Sequence, residues 1–263
     1  NKTSAETFTS STISTNVLNT LQAQALSLLG NVNHTFQLDI LSTIPMGKGL
    51  GSSAALCVAV IEALAVCHQI KLEKKDCIVF SNELEKIFHH FPSGLDVTTI
   101  IENLPLYFHS LHSYQTLCER PEIQFLIIDT GIKRNTKEAV LAVKKLKTDN
   151  PIFFQKCFDS YNEIAEAARL SFEKGNLSSI PDLMSENQRL LKAIGVSHPR
   201  IDDFIDLIES NGLHGAKISG AGLGGILILP IIKPHHHLLH LLETIHDICA
   251  QKEFEGFQPL GAA

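Results

Sequence analysis

The stretch Pro45-Met46-Gly47-Lys48-Gly49-Leu50-Gly51-Ser52-Ser53-Ala54-Ala55 sets three glycines in alternate positions ahead of two serines, then runs into Leu56-Cys57-Val58-Ala59-Val60-Ile61. Glycines let a backbone turn tightly and bring several N–H groups toward one point. Residues 52–70 are rich in small apolar side chains and carry a single acidic residue, Glu62, which predicts a buried helix. The N-terminus of such a helix suits an anion, because its unpaired donors and its dipole both favour negative charge. Ser52 and Ser53 are residues of the type that cap a helix, and a hydroxyl at that place can also ligate Mg2+. The string is neither G-x-x-x-x-G-K-[ST] nor G-x-G-x-x-G. Taken alone, a glycine turn followed by capping serines is more often structural than functional.

Working outward, residues 17–29 read as a helix closed by Gly30, and Phe36, Leu38 and Ile40 alternate with polar neighbours as a strand does. Downstream, residues 74–90 form a second helical pattern. A turn at Phe91-Pro92-Ser93-Gly94 then leads into a short helical or extended segment, and Ile123–Thr130 reads as a buried strand. Beyond residue 131 the pattern becomes helical over 136–148, 152–174, 177–194 and 199–210. Two strands, Gly215–Ser219 and Gly225–Pro230, flank a glycine-rich loop, and a last helix spans 235–251. Helices and strands mixed without a regular βαβ repeat indicate an α+β protein with two lobes meeting near residue 131.

The chain has 263 residues, 44% hydrophobic and 19% charged, with a net charge of -6. That is an ordinary globular composition, and it excludes disordered, collagen-like and coiled-coil classes. The longest basic cluster is Lys144–Lys147, too small a footprint for a nucleic-acid binder. No apolar run approaches the ~20 residues of a membrane span. The six cysteines, Cys57, Cys67, Cys77, Cys118, Cys157 and Cys249, make no C-x-x-C pair and sit mostly in apolar runs. They read as free thiols in a reducing, cytoplasmic compartment. Among the 13 histidines, His235–His237 with His240 and His246 lack a carboxylate or thiol partner at ligand spacing, so an exposed helix face is expected there rather than a metal site.

The opening string resembles the P-x-x-x-G-L-G-S-S-A-A phosphate loop of the GHMP kinases. Two further segments agree in the family's order. Phe91-Pro92-Ser93-Gly94-Leu95-Asp96 is similar to N-P-S-G-x-D of the mevalonate kinase branch, and Lys217-Ile218-Ser219-Gly220-Ala221-Gly222-Leu223-Gly224-Gly225 is similar to its K-L-T-G-A-G-G-G-G. Residues 127–136, 186–202 and 212–222 also read like that branch, and the resemblance covers about residues 35–230. It implies the two-lobed GHMP kinase fold. Residues 1–131 would form a lobe like ribosomal protein S5 domain 2, and residues 132–263 a ferredoxin-like C-terminal lobe. It further implies ATP-dependent phosphorylation of the primary hydroxyl of mevalonate, in isoprenoid biosynthesis. The alternatives are another GHMP kinase, acting on phosphomevalonate or a sugar, and a non-catalytic binding protein of the same fold. A homodimer is common among similar proteins, and neither nucleic acid nor membrane is implied as a partner.

Read without the family, Glu85 lies beside Glu83 on a solvated helix face, and Asp96 is a helix cap. The resemblance implies other roles. Asp96 matches the aspartate that takes the proton of the substrate hydroxyl, while Glu85 and Ser53 match the Mg2+ ligands. Gly47, Lys48, Gly49, Leu50, Gly51, Ser52 and Ser53 match the segment holding the ATP phosphates, and Ser42 on the preceding strand matches a further nucleotide contact. Lys48 either reaches the phosphates or points into solvent. Gly220–Gly225 either brings backbone close to the site or forms a tight interstrand turn. Val97 replaces the usual Asn, His90-Phe91 replaces Gly-Asn, and Leu223 interrupts the third glycine run; these changes bear on substrate identity. The family's first motif has no counterpart in the 44 residues before Pro45, so the first lobe is expected to be incomplete at its start.

Overall fold

Two units divide the chain, Asn1–Glu119 and Arg120–Ala263. The computed structural model describes residues 15–30, 38–44, 47–89, 91–117, 123–133, 136–232 and 238–262. The first unit holds helices α1 (Thr15–Leu28), α2 (Ser52–Cys67), α3 (Lys74–Glu85) and α4 (Leu95–Glu102), followed by an antiparallel hairpin of β1 (Leu106–Ser110) and β2 (Ser113–Thr116). Apolar residues lie all round α2 because α1, α3 and α4 pack on it from several sides. Ala54, Cys57 and Ala65 are small enough to let those helices come close, and Leu21, Ile61, Leu64 and Leu84 fill the space between. Burying each such large side chain contributes about 1.5–3 kcal/mol.

One expectation fails here, and one element has no signal in the sequence. The strand read from Phe36, Leu38 and Ile40 does not form over residues 38–44, which join no ladder, and Phe36 lies outside the described residues. Alternation supplies two faces, but a strand also needs a neighbour whose N–H and C=O groups answer its own. The β1–β2 hairpin was not foreseen, because the Leu111-His112 corner between its strands carries none of the usual glycine, asparagine or proline turn signals.

The second unit runs β3 (Gln124–Asp129), α5 (Thr136–Asp149), α6 (Pro151–Glu173), α7 (Ile180–Ala193), α8 (Pro199–Ser210), β4 (Lys217–Ser219), β5 (Ile226–Ile231), α9 (Leu238–Cys249) and β6 (Gln258–Ala262). Its strands form one antiparallel sheet in the order β4-β5-β3-β6. That is the strand order of the ferredoxin-like split βαβ, with α5–α8 filling the first crossover and α9 the second. Because β3 pairs with β5 and β6, the boundary falls before this strand and not near residue 131. Pro151 and Pro199 open α6 and α8 at the position where a missing N–H costs nothing. Of the helix read from 235 to 251, α9 covers Leu238–Cys249, and His235–His237 lie outside the described residues.

Leu126 and Ile128 of β3, Ile218 of β4, and Leu227 and Leu229 of β5 share one sheet face, where they meet Ile201, Phe204 and Ile208 of α8 and Ile245 and Ile248 of α9. Phe204, Phe254 and Phe257 form an aromatic cluster with centroids 4.6–5.5 Å apart. Helix α7 lies along the outer strand β4. The Ile218 N–H donates to Gln188 Oε1 at 3.0 Å, and the Gly215 N–H to Ser185 Oγ at 3.0 Å. The chain of bonds continues: Ser185 Oγ donates to Glu209 at 2.9 Å, Gln188 Nε2 to Ser197 Oγ at 3.1 Å, and Ser197 Oγ to Asp202 at 2.6 Å. The five described cysteines are free thiols, and Cys118 lies outside the described residues. Among the described residues no helix is long and apolar enough to cross a membrane.

Candidate active site

Gly51 is the residue from which α2 springs, and its φ of +70° puts it in the left-handed region that glycine alone occupies without strain. Open space surrounds its Cα, so conformation and not crowding requires glycine here. Having no side chain, Gly51 cannot cap the helix. The expected capping by Ser52 and Ser53 does not occur, since both lie inside the first turn. The N–H groups of that turn have no partner within the helix, and the glycine loop leads directly into them. Pro45 and Met46 lie outside the described residues, and Lys48 is half-buried.

Freed from capping, the Ser53 hydroxyl turns to α3. Its Oγ donates to Glu85 Oε1 at 2.9 Å and lies 3.3 Å from His89 Nε2. Glu85 ends α3 and is only 3% exposed, because α2 and α3 pack side by side over it. The solvated-face reading of this residue is therefore corrected. Burial raises the Glu85 pKa above the ordinary carboxylate value; the Ser53 hydrogen bond and, when its ring is protonated, His89 oppose the rise, and the Asp96 charge adds to it. One turn along α2, burial and then the Glu85 charge push the Cys57 thiol up to about 12.

Asp96 is exposed and is the second residue of α4. The helix cap is Gly94, so Asp96 is not the capping aspartate that unaided reading allowed. An acidic residue in the first turn complements the helix dipole, and Ser93 Oγ accepts the Leu95 N–H at 3.2 Å to fix the entry into that turn. The structure thus brings Ser53 and Glu85 together directly and sets Asp96 within electrostatic reach of Glu85. Ser42 behaves differently. It stands on no strand, and its Oγ accepts the Ile44 N–H at 3.1 Å in a local turn.

The third glycine segment belongs to the second unit. A Cβ on Gly222 would come within 2.3 Å of the Val196 carbonyl oxygen, so glycine is required there by the unit's own backbone. Leu223 sits at φ +58°, held in that left-handed conformation by its N–H donating to Val196 O at 2.8 Å. Gly225 O accepts both the backbone N–H and the hydroxyl of Thr130, at 3.0 and 2.8 Å. Lys217 donates to Ile218 O at 3.0 Å, and burial brings its ammonium down to about 8.

Unaided reading passed over His89. Its one signal is spacing, four residues after Glu85, which places it one turn further on. The Ser53 hydroxyl and Glu85 carboxylate are hard oxygen donors of the kind Mg2+ takes. Mg2+ usually binds through one or two carboxylates plus phosphates and water.

Comparison with known proteins gives matches to the GHMP kinases N terminal domain over residues 14–103 and to the GHMP kinases C terminal domain over residues 165–237. A mevalonate kinase of Archaeoglobus fulgidus is 35% identical over 193 residues, covering 73% of this chain and 64% of the relative. The human mevalonate kinase is 31% identical over 221 residues, covering 75% and 55%. Across eight curated relatives the chain spans 42–66% of their length. The L. major mevalonate kinase, solved in complex with R-mevalonate, matches with a TM-score of 0.71 over 94% of this chain and 78% of that one, at 22% identity. The structural likeness establishes the two-lobed fold.

Proposed function

The chain belongs to the GHMP kinase family, and on that footing we propose that it transfers the γ-phosphoryl group of ATP to the primary hydroxyl of mevalonate. The observation that carries this reading is the Ser53 hydroxyl bonded to the buried Glu85 carboxylate, in the first turn of the helix that follows the glycine loop. The mevalonate kinase relatives and the Pro92-Ser93-Gly94-Leu95-Asp96 segment favour mevalonate over the other acceptors used in the family.

Phosphoryl transfer passes through a loose transition state with charge spread over the equatorial oxygens, so positioning and neutralisation do most of the work. Backbone N–H groups of Gly47–Ser53 and the first turn of α2 would bind the phosphates. Ser53 and Glu85 would hold Mg2+, which supplies positive charge to the β- and γ-phosphate oxygens when bound. Asp96, exposed to an arriving substrate, would take the proton of the attacking hydroxyl as its oxygen bonds to the γ-phosphorus and ADP departs.

The test is Asp96→Asn, assayed by ADP release with mevalonate, phosphomevalonate, galactose and homoserine as acceptors. Mevalonate should be the preferred acceptor of the unaltered protein. The variant should lose about 1,000-fold in kcat while binding ATP normally. Retained turnover removes Asp96 from its role, and ATP binding without transfer to any acceptor leaves a binding protein of the same fold.

A further inference from the structure

A serine hydroxyl carries one proton, and two groups lie in its reach, Glu85 Oε1 at 2.9 Å and His89 Nε2 at 3.3 Å, the latter an acceptor in one of its two neutral tautomers. In the structure the nearer one takes it. If Ser53 and Glu85 are the ligands of a divalent cation, as the proposed function has it, this arrangement is self-defeating. The proton would lie between two oxygens whose lone pairs are both needed for the cation. A carboxylate accepting that bond is also a poorer ligand, since part of its charge is already engaged. The hydroxyl needs an acceptor that is not itself a ligand, close to Oγ and held there.

His89 meets that description. Its backbone N–H donates to the Glu85 carbonyl at 2.8 Å, extending the α3 helical path by one turn and fixing the ring's attachment relative to Glu85. We propose that His89 is a positioning residue of this site: its Nε2 accepts the Ser53 hydroxyl hydrogen bond when Ser53 and Glu85 engage a divalent cation, leaving an Oγ lone pair for the metal. The role requires the tautomer with its proton on Nδ1, so that Nε2 is the acceptor. Partners of metal ligands commonly act this way, orienting the ligand without touching the ion.

The experiment uses Mn2+ as the probe, titrated into the purified protein in the presence of a non-hydrolysable ATP analogue and read by loss of the free-ion EPR signal. His89→Ala should weaken Mn2+ binding about tenfold. His89→Gln, whose side-chain oxygen reaches about as far as Nε2, should stay within about threefold of the unaltered protein. Because His89 is exposed, both variants should keep the unaltered melting temperature. Ser53→Ala and Glu85→Gln serve as the reference for losing a ligand. If those two weaken Mn2+ binding and His89→Ala does not, the positioning role is overturned while the metal-site reading stands. It is likewise overturned if His89→Gln binds as weakly as His89→Ala. If Ser53→Ala and Glu85→Gln leave Mn2+ affinity unchanged, the metal-site reading itself falls, and this inference with it.

Discussion

Both units bury polar side chains, and they treat them differently. Where α7 meets the sheet of the second unit, Ser185 and Gln188 are buried and each is bonded to backbone on one side and to a side chain on the other. In the first unit, Glu85 is buried with a neutral hydroxyl as its hydrogen-bond donor, and Asn82, one turn earlier on α3, has a buried Oδ1 without a hydrogen-bond partner among the described residues. A buried polar group left incomplete costs about 1–3 kcal/mol. Such a cost is tolerated where completing the group is the purpose of the site, whereas a closed network like that of α7 only holds the fold together.

The largest effect expected from this contrast is in the second unit. Phe204→Ala empties the centre of the Phe204–Phe254–Phe257 cluster and should cost about 4 kcal/mol in urea unfolding. A loss under about 1 kcal/mol would mean the core collapses onto the gap. Next comes Gln188→Ala, which strands the buried Ile218 N–H and should cost about 2 kcal/mol. Hydrogen exchange at Ile218 should accelerate in this variant, and unchanged protection would show that α7 is not what shields β4.

The smallest effect has the opposite sign. The folded-state pKa of Glu85 lies above its unfolded value near 4.5, so the folded state holds this proton more tightly. The stability associated with it is fully present below that unfolded value and is lost as pH rises through the folded one. In EDTA, Glu85→Gln should therefore be slightly more stable than the unaltered protein at neutral pH. Its stability should also fall less as pH rises from 4.5. Parallel pH curves for the two proteins would show that Glu85 is solvated after all, and the contrast between the units would lose its main support.

Helices were the legible part of this chain. The pattern over residues 199–210 coincides with α8 because Pro199 marks its start and Ile201, Phe204, Ile205 and Ile208 repeat at helical spacing. β6 was illegible, since Pro259 and Gly261 both read against a strand; Pro259 is tolerated only because β6 is an edge strand. Of the site, the glycine loop announced itself through residue type, but Glu85 and Asp96 stood out only through resemblance to a family. Nothing local says that Glu85 is buried, because that follows from how α3 lies against α2. His89 depends on the same packing, which brings it to a serine 36 residues away in sequence.

The cover that α7 gives to β4 also bears on how this protein behaves in a crowd. A bare outer strand presents a row of open N–H and C=O groups on which a second chain can add itself, strand to strand, and begin a fibre. Gln188 takes the Ile218 N–H of that row and Ser185 the Gly215 N–H just ahead of the strand, so a neighbouring molecule meets a packed helix instead of a template. Losing the helix from that edge, by mutation or by partial unfolding at high concentration, would turn the same sheet from a scaffold into a seed for aggregation.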